Sequence, residues 1–167
     1  YGFNNINVDL IYATIKDTSH VFKSDIKNMI KLGVPHISTY SLIIEEHTML
    51  YNEKTKPISE QVDFNSYKYI CKKLKKCGFH HYEVSNFAFP GYESVHNLIY
   101  WNNEEYYGFG LGAHGYINEM RYENTRNMSK YLHSDYRLNE LLVSSIEEME
   151  NEVILGLRKL DGISVTH

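Results

Sequence analysis

The run of side chains best equipped for chemistry is His96-Asn97-Leu98-Ile99-Tyr100-Trp101, in which an imidazole precedes two large rings. A neutral imidazole can ligate heme iron, and rings close to it in sequence can flank a flat macrocycle. The same histidine could instead hydrogen-bond within its own loop, and the hexapeptide alone leaves both readings open. Asn7 and Asp9 form a second candidate group. They alternate with Ile6, Val8 and Leu10 in the period-two pattern of a strand, so one strand face carries an amide and a carboxylate. Such a face needs a polar lumen or a ligand.

Two further groups invite a chemical reading and resist it. Cys71 and Cys77 match neither a zinc knuckle nor a redox pair, and with Tyr67, Ile70 and Leu74 they share one helical face. Buried thiols of a reducing compartment are the expectation. The run from Gly108 to Gly115 lacks the Lys-Ser/Thr pair of a P-loop and the acidic residue of a dinucleotide fold. It is read as backbone that approaches something closely, either a neighbouring strand or a cofactor.

These groups are positioned by alternating elements. A strand over Asn5 to Tyr12 leads into a helix, for which Asp17, Thr18 and Ser19 offer N-cap oxygens. Phe22, Ile26, Met29 and Ile30 form its stripe, and Gly33 suits its C-terminal cap. A second strand from His36, a second helix over about Asp63 to Cys77 ended by Gly78, and a third strand over Tyr82 to Phe87 follow. Alternation at this length predicts parallel strands with the helices outside. After Pro90-Gly91 the chain is expected to run as loops or short antiparallel strands to about Tyr116. From about Asn127 it reads as helical, and Met149, Val153, Ile154, Leu157 and Leu160 form a last apolar stripe before Gly162.

Composition sets the outer bounds. With 167 residues, 43% of them hydrophobic, the chain can bury one core. Its 15 tyrosines favour a cleft, because each buried hydroxyl needs a partner. The net charge of −4 and the absence of a long basic run argue against nucleic acid. No stretch reaches membrane-spanning length and no signal segment is visible, so a cytoplasmic location is expected. The start at Tyr1 without a methionine reads as a piece of something longer.

Four ordered blocks carry a resemblance: Asn5 to Tyr12, His36 to Leu42, Tyr82 to Ala88 and Gly108 to His114. Together they resemble the oxygen-independent coproporphyrinogen III oxidase-like family of radical-SAM proteins, over nearly the whole chain. The resemblance implies an α/β fold: the C-terminal half of a radical-SAM partial (β/α) barrel with parallel strands, followed by a mostly helical C-terminal segment. Residues 1–116 would supply the half-barrel with its aromatic and glycine-rich loops, and residues 117–167 the start of a helical domain. It further implies that Asp9, Ser41 and Tyr116 contact S-adenosylmethionine. For Asp9 the chemistry agrees, since a carboxylate can accept from ribose hydroxyls. Arg121 and Asn124 match a further family position whose role the residues do not reveal.

The hexapeptide from His96 resembles the His-Asn-x-x-Tyr-Trp signature of the family's heme-chaperone (HemW-type) branch, and Ser85 to Ala88 matches that branch too. This implies a heme ligated by His96 and flanked by Tyr100 and Trp101, with heme-accepting proteins and a second copy of the chain as candidate partners. The alternatives are a coproporphyrinogen III dehydrogenase that takes porphyrinogen as substrate, and an unrelated α/β binding module. The family's Cys-x-x-x-Cys-x-x-Cys loop for a 4Fe-4S cluster is absent from these residues, so residues 1–167 are expected to run no radical chemistry by themselves.

Overall fold

A computed structural model describes residues 2–15, 17, 19–133 and 136–164. Contacts divide the chain into two compact units, Tyr1–Glu93 and Ser94–His167.

The first unit begins with strand β1 (Asn7–Tyr12), whose alternating pattern lays Val8, Leu10 and Tyr12 towards the core and Asn7, Asp9 and Ile11 away from it. Helix α1 (Ser19–Lys31) buries Phe22, Ile26 and Met29, the predicted stripe. Gly33 then turns the chain with φ +67°, and its N–H bonds the Ile30 carbonyl at 3.2 Å. Of the predicted N-cap residues, Asp17 accepts instead from the Thr14 backbone N–H and hydroxyl. Thr18 and the side chain of Ser19 lie outside the described residues.

Strand β2 (His36–Ser41) pairs parallel to β1, Asn7 opposite His36 and Asp9 opposite Ser38. A short helix α2 (Met49–Asn52) precedes α3 (Glu60–Lys76), which ends at Gly78 with φ +90°. Ile70 and Leu74 of α3 are fully buried with Ile26, Ile37 and Phe87, and Tyr67, Cys71 and Cys77 pack partly against them. Burying each such aliphatic or aromatic side chain contributes about 1.5–3 kcal/mol, so this layer of helices against one sheet face dominates the unit's stability.

The third predicted strand is where the structure departs from expectation. Tyr82 to Phe87 is not one parallel strand but part of a hairpin, β3 (His80–Glu83) and β4 (Asn86–Ala88), joined by the two-residue turn Val84-Ser85. The sheet order is β1-β2-β4-β3, with β4 antiparallel to both neighbours. Strand β3 therefore runs in the direction of β1 and β2, but β4 separates it from them. The turn is held by Glu83, whose Oε1 accepts from the Ser85 N–H at 3.2 Å and from the Asn86 side-chain amide. Side-chain acceptors that cap a turn compete with continued strand pairing, and this one wins.

The second unit opens with helix α4 (Val95–Trp101), N-capped by Ser94, whose hydroxyl accepts from the Asn97 N–H. Loops or strands were expected here, although a serine before a short apolar run is a cap signal. Strands β5 (His114–Ile117) and β6 (Met120–Asn124) form a hairpin, with Asn118 and Glu119 both at positive φ as a two-residue type I′ turn requires. Helix α5 (Met128–Leu132) is followed by β7 (Arg137–Leu142), which completes a three-stranded antiparallel sheet with β6 in the middle. The run expected to be helical from Asn127 is thus interrupted by a strand. Helix α6 (Ser145–Gly156) follows, started by a capping box between Ser144 and Glu147. Its apolar stripe, Met149, Val153 and Ile154, is exposed.

Candidate functional site

On the first unit's sheet, the face opposite the helices is polar, and its side chains are bonded into a chain. The Tyr82 hydroxyl meets His36 Nε2 at 2.8 Å, and His36 Nδ1 meets Asn7 Oδ1 at 2.7 Å. Asn7 Oδ1 also accepts from the Ser38 hydroxyl at 3.1 Å, and Asn7 Nδ2 donates to Asp9 Oδ1 at 2.6 Å. Burial holds the His36 imidazole below its usual pKa, against weaker opposing pulls from Asp9 and Glu93. A neutral ring protonated on Nδ1 satisfies both contacts, donating to Asn7 and accepting from Tyr82. The chain of bonds fixes Asn7, and Asn7 fixes Asp9, which is exposed and keeps its second oxygen out of any hydrogen bond among the described residues. Ser41 lies three positions beyond Ser38 on β2, so strand alternation puts it on the opposite sheet face from Asp9. Tyr116 belongs to the second unit, where it is 4% exposed under the Arg121 guanidinium, 4.9 Å from its ring centre. His36, Tyr82 and Ser38 were not singled out from the sequence. For His36 and Ser38 the signal was the alternation of β2, which becomes decisive only once its register to Asn7 is known.

The second unit holds an aromatic cleft of about 550 Å³ lined by His96, Tyr100, Tyr106, Tyr107, Phe109 and His114, within the usual size range of ligand sites. His96 and Tyr100 stand one turn apart on α4 with their rings edge to face, centroids 4.8 Å apart, and Tyr106 continues the stack at 4.5 Å. Neither the His96 nor the His114 imidazole has a hydrogen-bond partner among the described residues. The helix turns Trp101 away from this cleft. It packs instead under Arg158, whose guanidinium lies 4.2 Å from the indole centre.

The glycine run forms the cleft's floor. A Cβ on Gly108 would stand 2.3 Å from the His114 carbonyl oxygen, and one on Gly115 would stand 2.1 Å from the Tyr122 ring. The close approach expected of this run is therefore to backbone and ring of the same unit. Asn124, fully buried, donates to the carbonyls of Gly108 and Gly110 at 3.0 and 2.9 Å, while the hydroxyls of Tyr122 and Tyr131 accept from their N–H groups. Asn124 thus acquires a role that its sequence position did not reveal: it pins the loop that carries Phe109. Arg121 covers Tyr116 and reaches Asn103 at 3.4 Å.

Metal chemistry finds little purchase elsewhere. No group of three or more His, Cys, Asp or Glu side chains that could hold a metal ion occurs among the described residues. Burial raises the pKa of the Cys71 thiol, with a smaller opposing effect from Tyr67, whereas cluster ligation requires thiolate. The two cysteines do not fit an iron–sulfur cluster. A second concavity of about 340 Å³ is lined by Phe22, Ile58 and Tyr69 together with Lys23 and Asp17.

The fold matches that of the coproporphyrinogen III oxidase (HemN) from Escherichia coli, described as a radical SAM enzyme, over 94% of the chain with a TM-score of 0.75 at 19% identity. The matched part is 41% of that structure. No family model matches the chain. The heme chaperone HemW of Lactococcus lactis is 44% identical over 171 residues, and that of Bacillus subtilis 40% identical over 174, each match covering 98% of this chain. On these likenesses the chain belongs to the oxygen-independent coproporphyrinogen III oxidase-like family, on its HemW branch. It spans 45% of the length of those two relatives. No described helix is long and apolar enough to cross a membrane.

Proposed function

We propose that the chain is part of a heme chaperone whose aromatic cleft would take heme, with His96 as the residue that would hold the iron and Tyr100 as a wall of the site. The observation that carries this reading is that His96 lines a cavity of about 550 Å³ among aromatic rings while its imidazole makes no hydrogen bond among the described residues. Heme supplies, when bound, an iron that accepts a neutral imidazole. The chain's own part is to hold His96 on a capped helix, to offer flat apolar rings, and to fix the loop of Phe109 through Asn124. Trp101 contributes from behind, by securing α4 through Arg158. The imidazole of His114, which also makes no hydrogen bond among the described residues, is the second candidate ligand.

In the same reading, the first unit belongs to a radical-SAM partial barrel, with Asp9 reaching S-adenosylmethionine from the polar sheet face. Ser41 and Tyr116 are the other two residues proposed for that ligand. The 4Fe-4S cluster would draw its thiolates from outside residues 1–167. Heme-accepting proteins and a second copy are the proposed partners.

The test is a visible-region heme titration of the full-length protein beside its His96→Ala variant. The variant should shift or lose the Soret band of added heme and keep its S-adenosylmethionine affinity. A variant with wild-type heme affinity and an unchanged spectrum would move the assignment to His114 and count against the chaperone reading.

A further inference from the structure

Arg121 is half-buried, and it forms no ion pair with a carboxylate among the described residues. Its guanidinium lies over the Tyr116 ring, and its hydrogen bond among those residues is a long one, 3.4 Å, to the side-chain oxygen of Asn103. A guanidinium offers a fork of N–H donors shaped for a carboxylate, so one long bond to a neutral amide leaves most of the fork open. Strand register places this charge beside the aromatic cleft. Tyr106 and Tyr116 exchange both backbone bonds, at 2.8 and 2.9 Å, and Tyr116 stands opposite Arg121 in the β5–β6 hairpin. Residues directly opposite one another share a sheet face, so Tyr106, Tyr116 and Arg121 form one row on one face. His114, two positions before Tyr116, lies on that face as well. Tyr106 and His114 both line the cleft, so the row starts in the cleft and ends on the guanidinium. Burial pushes the Tyr106 hydroxyl above its usual pKa and the Arg121 charge pulls against it, as a guanidinium far from that hydroxyl could not. Burial also raises the Tyr116 hydroxyl, Glu148 adds to this and Arg121 opposes it, yet Glu148 does not pair with Arg121. Glu123, the carboxylate that β6 carries on the same face, is turned to Arg126 at 3.6 Å.

We propose that Arg121 binds a carboxylate on the rim of the flat ligand in the cleft, a propionate where that ligand is heme. The inference rests on the cleft reading given above and adds the direction in which the ligand is turned. His96 would hold the macrocycle by its iron and Arg121 by its acidic edge, so a ring rotated in its own plane would satisfy the first and not the second. A guanidinium–carboxylate pair is charge-assisted and directional, and it strengthens where an aromatic surround keeps water out. Stacking on the Tyr116 ring holds the planar group in place before the ligand arrives, so less freedom is lost on binding.

Heme and its dimethyl ester, in which the propionates carry no charge, test this when each is titrated into the full-length protein and into its Arg121→Gln variant, with affinity and Soret position both read. The wild type should bind heme about tenfold or more tighter than the ester, as hydrogen bonds to a charged group allow. Arg121→Gln should lose that preference by weakening heme and not the ester, and its heme complex should keep the wild-type Soret position because the iron is held elsewhere. Equal wild-type affinities for the two compounds would overturn this inference alone and leave the cleft reading standing. Equal weakening of both by Arg121→Gln would also overturn it, by showing that Arg121 only supports the fold. A wild-type protein that binds neither compound would overturn the cleft reading and this inference together. Should Arg121→Gln not fold, Arg121→Lys decides. Lysine keeps the charge without the fork, so the preference for heme should shrink severalfold, and a preference left at the wild-type value would overturn the anchor.

Discussion

Asp9 owes its orientation to the side chains beside it, because the bonds from Tyr82 through His36 to Asn7 end on its Oδ1. Replacing it with alanine removes an acceptor without disturbing the core. In the full-length protein Asp9→Ala should weaken S-adenosylmethionine binding by about 1–3 kcal/mol, the range for hydrogen bonds to charged groups, as read by calorimetric titration. Unchanged affinity would reject the assignment. His36 makes a second prediction. Its folded pKa lies below that of the unfolded chain, so in the acid range the unfolded state binds more protons and stability falls as pH drops below about 6.5. His81, stacked on Phe87, shifts in the same direction through its own burial. Denaturant midpoints taken between pH 7.5 and pH 5 should therefore decline, and less steeply in His36→Gln. Parallel declines in the two proteins would show that His36 does not contribute.

Elements, rather than residues, decide the shape of the aromatic cleft. The β5–β6 hairpin can close only because Gly115 lets the Tyr122 ring lie against its backbone, and that ring's hydroxyl then holds Gly108. Gly115→Ala should destabilise the protein by about 1–3 kcal/mol through overpacking, and should weaken heme binding as well because the loop of Phe109 loses its anchor. Equilibrium denaturation and a heme titration on the same sample check both. A neutral Gly115→Ala would mean that the hairpin relaxes freely. The last strand shows how an element can escape sequence reading. Arg137–Leu142 mixes leucine with charged residues in no clean period, all six residues are exposed, and Asn139 sits at φ +52° where the register to β6 shifts. Only pairing with β6 makes it a strand, since β preference reflects neighbours more than backbone.

On the scale of the whole molecule, β1 is an edge strand with no partner on its far side among the described residues. Ile11 stands exposed on it at 58% and Ile6, just before it, at 42%, whereas Val8 and Leu10 pack against the core. An unpaired apolar edge is a template for another chain. Residues 1–167 prepared alone should therefore self-associate, seen as a sedimentation coefficient that rises with concentration, and Ile11→Lys should reduce the effect. A concentration-independent monomer would count against it.

The helices α1 and α3 and strands β1 and β2 were legible in the sequence because each announces itself within a dozen residues. Apolar spacing of three and four or of two, with a glycine at a positive φ closing each of the two helices, needs no partner to be recognised. The polar face of Asn7 and Asp9 was legible for the same reason. What lies on that face with them was not, because the register that sets His36 opposite Asn7 and Ser38 opposite Asp9 joins residues 29 positions apart. The hairpin at Val84-Ser85 depended on Glu83 bonding across its own turn, and Trp101 left the cleft because a capped helix carries residues 96 and 100 on one face and 101 on another. Sequence by itself determined the local periods and the side chains available. Tertiary structure alone decided which of them meet, because hydrogen-bond partners and buried acceptors are properties of pairs brought together from distant parts of the chain.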